Sequence, residues 1–366
     1  MFDLRWFAFF TLLSSHCAFA APSAQLASQT AGKMAAQSAV KSAVRRVEFV
    51  QEFRPKAQAQ TQAQTQAQTL IELWIPTPLE TAPYQRLISR EFSGNATIVR
   101  VSGDSNHPAP VVYARWEKVK EPILRIVNII EVQDRDGVSP DFSDYQRFLQ
   151  PTDHVQIDGI VKETADKITV GLKTPDQKAK AIFNWIVDNT FRDPSTRGCG
   201  LGDVKTLLLS GNLSGKCADL NSLFVGLARA SGIPAREVFG QRVAASMISK
   251  SLGKEGDNSK AQHCRAEYYS VAKKGWIPVD PADVRKFILE ENLSAKDSRV
   301  KELRERFFGS WEGTWVAYNF ARDFKLEGYN FEKVNFFMYP LLADTKIRPD
   351  GIDPEQTGYA FTTKLL

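Results

Sequence analysis

The spacing of apolar residues changes period part-way along the chain, and that change limits the fold more than any other feature does. Segments 70–75, 96–101, 111–116 and 123–132 are rich in β-branched and aromatic residues and are separated by Pro, Gly, Asn and Asp clusters. Segment 45–54 has the same strand-like texture. After Pro151 the period lengthens. Thr174-Pro175-Asp176-Gln177 combines an N-cap, a proline at the first helical position and a capping-box glutamine. Ala179, Ile182, Phe183 and Ile186 follow at i, i+3, i+4 and i+7, the stripe of a helix packed on one face and ending near Asn189. Strands gathered in one stretch and helices in the next predict an α+β chain.

A second helix begins near Cys217, carries Leu220, Leu223, Phe224 and Leu227 on one stripe, and ends at Gly232 and Pro234. Strand-like segments follow at 235–243, 261–271 and 275–279, then a charged helical stretch at 283–308. The tail is rich in aromatic residues, among them Trp311, Trp315, Tyr318, Phe336 and Phe337. The expected organisation is therefore a β-sandwich-like domain at 45–150, a core at 156–290, and a C-terminal extension at 291–366 packed on that core. The alternating Ala, Gln and Thr of 57–69 lacks large apolar residues and reads as a polar loop inside the β part. Gly198-Cys199-Gly200-Leu201-Gly202 lacks the spacing of a phosphate loop and reads as a turn needing positive φ.

Residues 1–20 read as an export signal, with Arg5, an apolar run at 6–13 and the small-x-small site Ala18-Phe19-Ala20 before Ala21. A flexible lead-in at 21–44 follows. The apolar run is far short of the roughly 20 residues a membrane span needs. The expected location is the periplasm or the exterior, with no membrane span after cleavage. Cys199, Cys217 and Cys264 then remain, an odd number that leaves at least one free thiol in an oxidising compartment. A Cys199–Cys264 disulfide is the pairing that spares Cys217. The 47 basic and 42 acidic residues leave a net charge of +5 spread along the chain, which argues against a nucleic-acid partner.

Cys217, in Gly215-Lys216-Cys217-Ala218-Asp219, sits where a helix start offers unpaired N–H groups and about half a positive charge, both of which favour thiolate. Those N–H groups also suit an oxyanion. His263 is the one histidine of four embedded in regular structure of the same region, on a strand that places it with Arg265, Glu267 and Tyr269. A cysteine enzyme needs such an imidazole as base and then acid. Asp280 ends the strand Gly275-Trp276-Ile277-Pro278-Val279 before Pro281, where its carboxylate can orient the ring. A tight turn at Lys273-Lys274 instead sets His263 opposite Val284, so Glu267 and Asp283 rival Asp280 for that role. Zinc held by Cys199, Cys217, His263 and Cys264 is disfavoured, since no C-x-x-C or paired-His spacing is present.

The order of Cys217 at a helix start, His263 on a strand and Gly275-Trp276 leading into Val279-Asp280-Pro281 resembles the transglutaminase core, over about residues 156–285. The amphipathic helix bearing Trp185 is similar to the helix that precedes the cysteine in that superfamily. The resemblance implies a papain-like α+β fold, a triad of Cys217, His263 and Asp280, and thioester chemistry on an amide, with no cofactor or metal. The side-chain oxyanion donor is not placed by it; Gln262 and Trp276 are the options. The substrate class it implies is a peptide or protein, and the expected compartment adds a cell-wall peptide to the candidates. Three readings stay open: a cysteine hydrolase, a true transglutaminase that passes the acyl group to an amine, and a non-catalytic peptide- or glycan-binding scaffold whose aromatic tail lines a groove.

Overall fold

Strand segments with one apolar face need a partner layer, and here the layer is completed by both ends of the chain. The computed structural model describes residues 43–55, 70–103, 109–140, 145–344 and 350–366. The expected export signal, the lead-in up to residue 42 and the 57–69 run lie outside the described residues. Two antiparallel sheets face each other. One contains, in spatial order, Gly256–Asp257, Tyr359–Leu365, Arg45–Phe53, Leu124–Val132, Gln85–Gly94 and Thr81–Ala82. The other contains Leu341–Asp344, Leu70–Pro76, Val111–Glu117 and Ile98–Ser102. Phe49 and Phe53 of the first sheet meet Leu73, Ile75 and Trp116 of the second in one buried core.

Two features of this layer differ from the sequence expectation. The strand Gln85–Gly94 escapes the pattern because most of its residues are not buried and a bulge between Leu87 and Ser89 breaks its alternation. The C-terminal part, expected to lie on the core, also supplies strands to both sheets. Tyr359–Leu365 pairs with Arg45–Phe53 along its whole length, and Leu341–Asp344 pairs with Leu70–Pro76. Without those strands each sheet would present a row of unpaired backbone groups at that edge. Trp311, Trp315, Tyr318 and Phe337 of this region are buried in the core, whereas Tyr339 lines the cavity that holds Cys217.

The α+β region comprises α1 (Ile160–Thr169), α2 (Pro175–Asn189), α3 (Val204–Ser210), α4 (Cys217–Ala230), α5 (Pro281–Glu290) and α6 (Ser298–Arg306). The capping box of α2 is formed, Thr174 Oγ1 accepting the Gln177 N–H and Gln177 Oε1 accepting the Thr174 N–H, both at 3.2 Å. The charged stretch is two helices, α5 and α6, and α1 and α3 are additional to those expected. Every residue of α4 except Asp219 is buried. It lies between α1 and α2 and a sheet ordered Trp315–Asn319, Ala235–Arg242, Gln262–Ser270, Gly275–Val279 and Ser139–Pro140. A helix covered on all sides cannot shift its register without exposing apolar area or opening cavities.

Phe361 is fully buried, with its ring 5.6 Å from Phe49 and 5.9 Å from Phe53. Phe361→Ala is expected to lower the unfolding free energy by about 3–5 kcal/mol. Urea unfolding at unchanged m measures this; a loss below about 1 kcal/mol would show that the C-terminal strand is not part of the sandwich core.

Candidate active site

The position of Cys217 is set by a loop pinned to the first turn of α4. Gly198, Gly200 and Gly202 adopt φ of +57°, +91° and +67°, so the glycine-rich segment is the positive-φ turn its sequence suggests. Asp219 clamps it: Oδ1 accepts the N–H of Leu201 at 3.0 Å and of Gly202 at 2.9 Å, and Oδ2 accepts that of Lys216 at 2.9 Å. A Cβ on residue 200 would fall 1.8 Å from Asp219 Oδ2, which is why only glycine fits. The Cys199 carbonyl accepts the Ala218 N–H at 2.9 Å. The clamp thus sets the Cys199 thiol beside that of Cys217.

His263 lies on Gln262–Ser270 and pairs with Gly240 of the neighbouring strand. Ser270 pairs with Gly275 and Ala266 with Val279, a register between the two expected ones, closed by a four-residue turn at 271–274. In this register no residue of Gly275–Val279 stands opposite His263. Asp280 reaches it because the chain leaves the sheet there: Asp280 is the N-cap of α5, accepting the Asp283 N–H at 3.0 Å. Its Oδ2 is 2.8 Å from His263 Nε2, which leaves Nδ1 for the thiol. Asp283 Oδ2 is 3.4 Å from the same nitrogen, but its other oxygen is held by Arg242 at 2.5 Å. Glu267 is ion-paired to Arg135 and Arg236 and does not reach the ring.

Asn221 is a site residue that the sequence reading passed over. Its Nδ2 donates to Asp280 Oδ1 at 3.2 Å and to the Cys264 carbonyl at 2.9 Å. The signal was present: Asn221 follows Cys217 at i+4, a polar residue on the thiol's own helix face. Of the two oxyanion options, Gln262 lines the cavity with its Nε2 given to the Ser259 carbonyl at 3.0 Å, whereas Trp276 is packed against Phe148 and Tyr269.

The electrostatics follow from burial among these groups. Hydrogen bonds from the Cys199 thiol, then from the Cys264 thiol, hold Cys217 well below the ordinary thiol range; burial opposes them, and His263 assists through its hydrogen bond and charge. Cys199 is pushed well above that range, first by its hydrogen bond with Cys217, and Cys264 first by burial; the Cys199 Sγ also lies 3.4 Å from the Gln262 carbonyl oxygen. All three cysteines are free, so the Cys199–Cys264 pairing that the sequence left open is not formed, and two thiols converge on a third. Burial and Arg242 lower the His263 pKa, but the Asp283 and Asp280 carboxylates outweigh them and the net shift is upward. A depressed thiol beside a raised imidazole favours thiolate and imidazolium together. His263, Asp280 and Asp283 have ligand atoms within 4.8 Å of one another, but Arg242 already supplies positive charge to Asp283.

Residues 162–281 match the model of the transglutaminase-like superfamily, a span that begins within α1, ends one residue past Asp280 and includes Cys217 and His263. A Haemophilus influenzae protein described as uncharacterized is 38% identical over 319 residues, covering 80% of this chain and 86% of the relative. Among solved structures the chain is similar to a cysteine protease candidate from Cytophaga hutchinsonii, at a TM-score of 0.48 and 13% identity over 88% of this chain and 99% of that one. It is also similar to the ethylmercury-bound periplasmic domain of TgpA from Pseudomonas aeruginosa, at a TM-score of 0.37 and 18% identity over 72% and 97%.

Iodoacetamide is expected to alkylate Cys217 well below the ordinary thiol range near 8.5. The rate falls only as pH drops through the depressed value, where thiolate becomes thiol. Cys199→Ala and Cys264→Ala each remove a donor and should shift this profile to higher pH, read by mass spectrometry of labelled peptides. An unchanged profile in both variants would refute the role given to the two thiols.

Proposed function

Because the chain belongs to the transglutaminase-like superfamily, we propose that it is an exported cysteine hydrolase that cleaves an amide bond of a peptide through a thioester. The observation that carries this reading is the depressed Cys217 thiol at the start of α4, within hydrogen-bonding reach of an imidazole held by Asp280 at 2.8 Å. The Cys217 thiolate attacks the amide carbonyl carbon, and the negative charge that develops on oxygen is met by the first N–H groups of α4. The C–N bond then breaks as the His263 imidazolium gives its proton to the leaving amine. His263, now neutral, takes a proton from water, the hydroxyl adds to the thioester, and the acid product leaves as the thiolate and imidazolium are restored. Asp280 fixes the ring tautomer throughout, and Asn221 fixes Asp280.

Export is proposed from the basic residue, apolar run and cleavage site at the N-terminus, and a peptide of the cell envelope is the substrate such a location offers. Among the described residues no helix is long and apolar enough to cross a membrane.

The test is digestion of a peptide mixture by the purified protein in ¹⁸O water. Hydrolysis places ¹⁸O in each new carboxyl group. His263→Ala is expected to slow this about 10²–10⁴-fold. Asp280→Asn keeps a good helix cap and should retain the fold while losing most activity. Incorporation of an added amine in place of ¹⁸O would make the protein a transglutaminase. Unaltered activity in Cys217→Ala would end the reading.

A further inference from the structure

Basic side chains dominate the wall of the cavity that holds Cys217, a space of about 480 Å³. Arg192, Lys216 and Lys286 are half-buried within it, and Lys250, Lys254 and Lys260 stand exposed around it. Among the described residues Asp353 is the one carboxylate in the wall, and it is turned to its own backbone, accepting the N–H of Glu355 at 2.9 Å and of Gln356 at 3.3 Å. Two further cations of the wall are already neutralised, Arg242 by Asp283 and Arg197 by Asp350. The other six form no ion pair with any described carboxylate. Arg192 Nε is buried with no hydrogen-bond partner, and Lys286 is given only to the Ser251 carbonyl.

This concentration does not follow from composition, because 47 basic residues are nearly balanced by 42 acidic ones. Nor is it needed to hold the thiolate: the leading causes of the depressed Cys217 thiol are Cys199, Cys264 and His263, not these six. Like charges gathered in a partly dehydrated space repel one another, and burial with Arg242 pushes the Lys286 ammonium down to about 8. A bound anion removes that cost. Among the described residues Tyr339 is the one Phe, Tyr or Trp of the wall, where a nucleic acid would use several such rings as a stacking platform.

We propose that the Cys217 cavity takes an acidic peptide, with Arg192, Lys216 and Lys286 holding carboxylates beside the scissile amide and Lys250, Lys254 and Lys260 drawing in the rest of the negative chain. The proposal rests on the cysteine-hydrolase reading and specifies its substrate class. Arg192 is positioned for it by the Phe191–Arg192 strand, which pairs in parallel with Ser214–Gly215 immediately before Cys217. Lys216 adjoins the nucleophile in sequence, and Lys286 projects from the helix that Asp280 caps.

The test uses the full chain and two peptides of equal length, one alternating Glu and Ala, the other Gln and Ala, as protectants of Cys217 against iodoacetamide. The Glu peptide is expected to half-protect at a concentration roughly tenfold lower than the Gln peptide, an advantage lost in about 0.5 M NaCl. Lys254→Gln, at an exposed position, and Lys286→Gln each weaken protection by the Glu peptide several-fold, and Lys286→Arg restores it. Equal protection by the two peptides, or none by either, overturns the proposal. An ordinary thiol pH profile in the unprotected protein would instead defeat the hydrolase reading, so the two failures are separable.

Discussion

The burial of α4 at every residue but Asp219 is the constraint on which the rest of the site depends. A helix enclosed by α1, α2 and the five-stranded sheet has one position and one rotation available, since any other opens cavities or buries polar groups unpaired. That single rotation sets Cys217 and Asn221 on the face turned toward Gln262–Ser270. The Asp219 clamp then fixes the one part of the helix still exposed to solvent, its first turn, by joining it to the 198–202 loop. Helix, loop and sheet are held by separate interactions that converge on one sulfur atom.

Charge at the site is organised by the same burial. His263, Asp280, Asp283, Arg242 and Arg265 are all buried, and isolated ions there would carry a penalty of several kcal/mol each. They occur as a network: Arg242 on Asp283 at 2.5 Å, Asp280 on His263 at 2.8 Å, and Arg265 Nε at 3.6 Å from Asp280. Against burial and Arg242, the nearby Asp283 and Asp280 carboxylates, the second hydrogen-bonded to the ring, prevail, which is why the imidazole holds its proton more tightly than in water. The thiolate draws first on its two neighbouring cysteines and then on His263 of the network. Of the lining cations outside this network, Arg197 is paired with Asp350, and the other six form no ion pair with a described carboxylate.

The β layer bears on the site through the chain's ends. The strand Trp315–Asn319 sits at the edge of the core sheet, and Trp315 Nε1 donates to the His263 carbonyl at 2.8 Å. Alternate residues of the same strand feed the sandwich, where Val316 and Tyr318 share a core with Phe49 and Leu73. Gly240, opposite His263, leaves room for that contact, because a Cβ there would lie 2.4 Å from Cζ2 of the Trp315 ring. The sandwich and the site are thus continuous through one strand.

What could be read in advance was whatever is encoded within a few residues. The α2 capping box, the start of α4, the positive-φ turn at 198–202 and the strands Gly275–Val279 and Val111–Glu117 all follow from local period, caps and turn chemistry. The strand Gln85–Gly94 did not, because an exposed and bulged strand has no strict alternation to detect. The nearness of Cys217, His263 and Asp280 was suggested by their order, but how Asp280 reaches His263 was beyond the sequence. It depends on the chain leaving the sheet into a helix cap, and strand pairing rules do not apply past that point. The convergence of Cys199 and Cys264 on Cys217 and the choice of Asp280 over Asp283 were likewise decided by tertiary structure, because sequence separation carries no information about distance once a buried helix brings remote segments to one place. The sequence alone determined the α+β class, the helix-borne thiol and the supply of charged groups; packing decided which of those groups face one another.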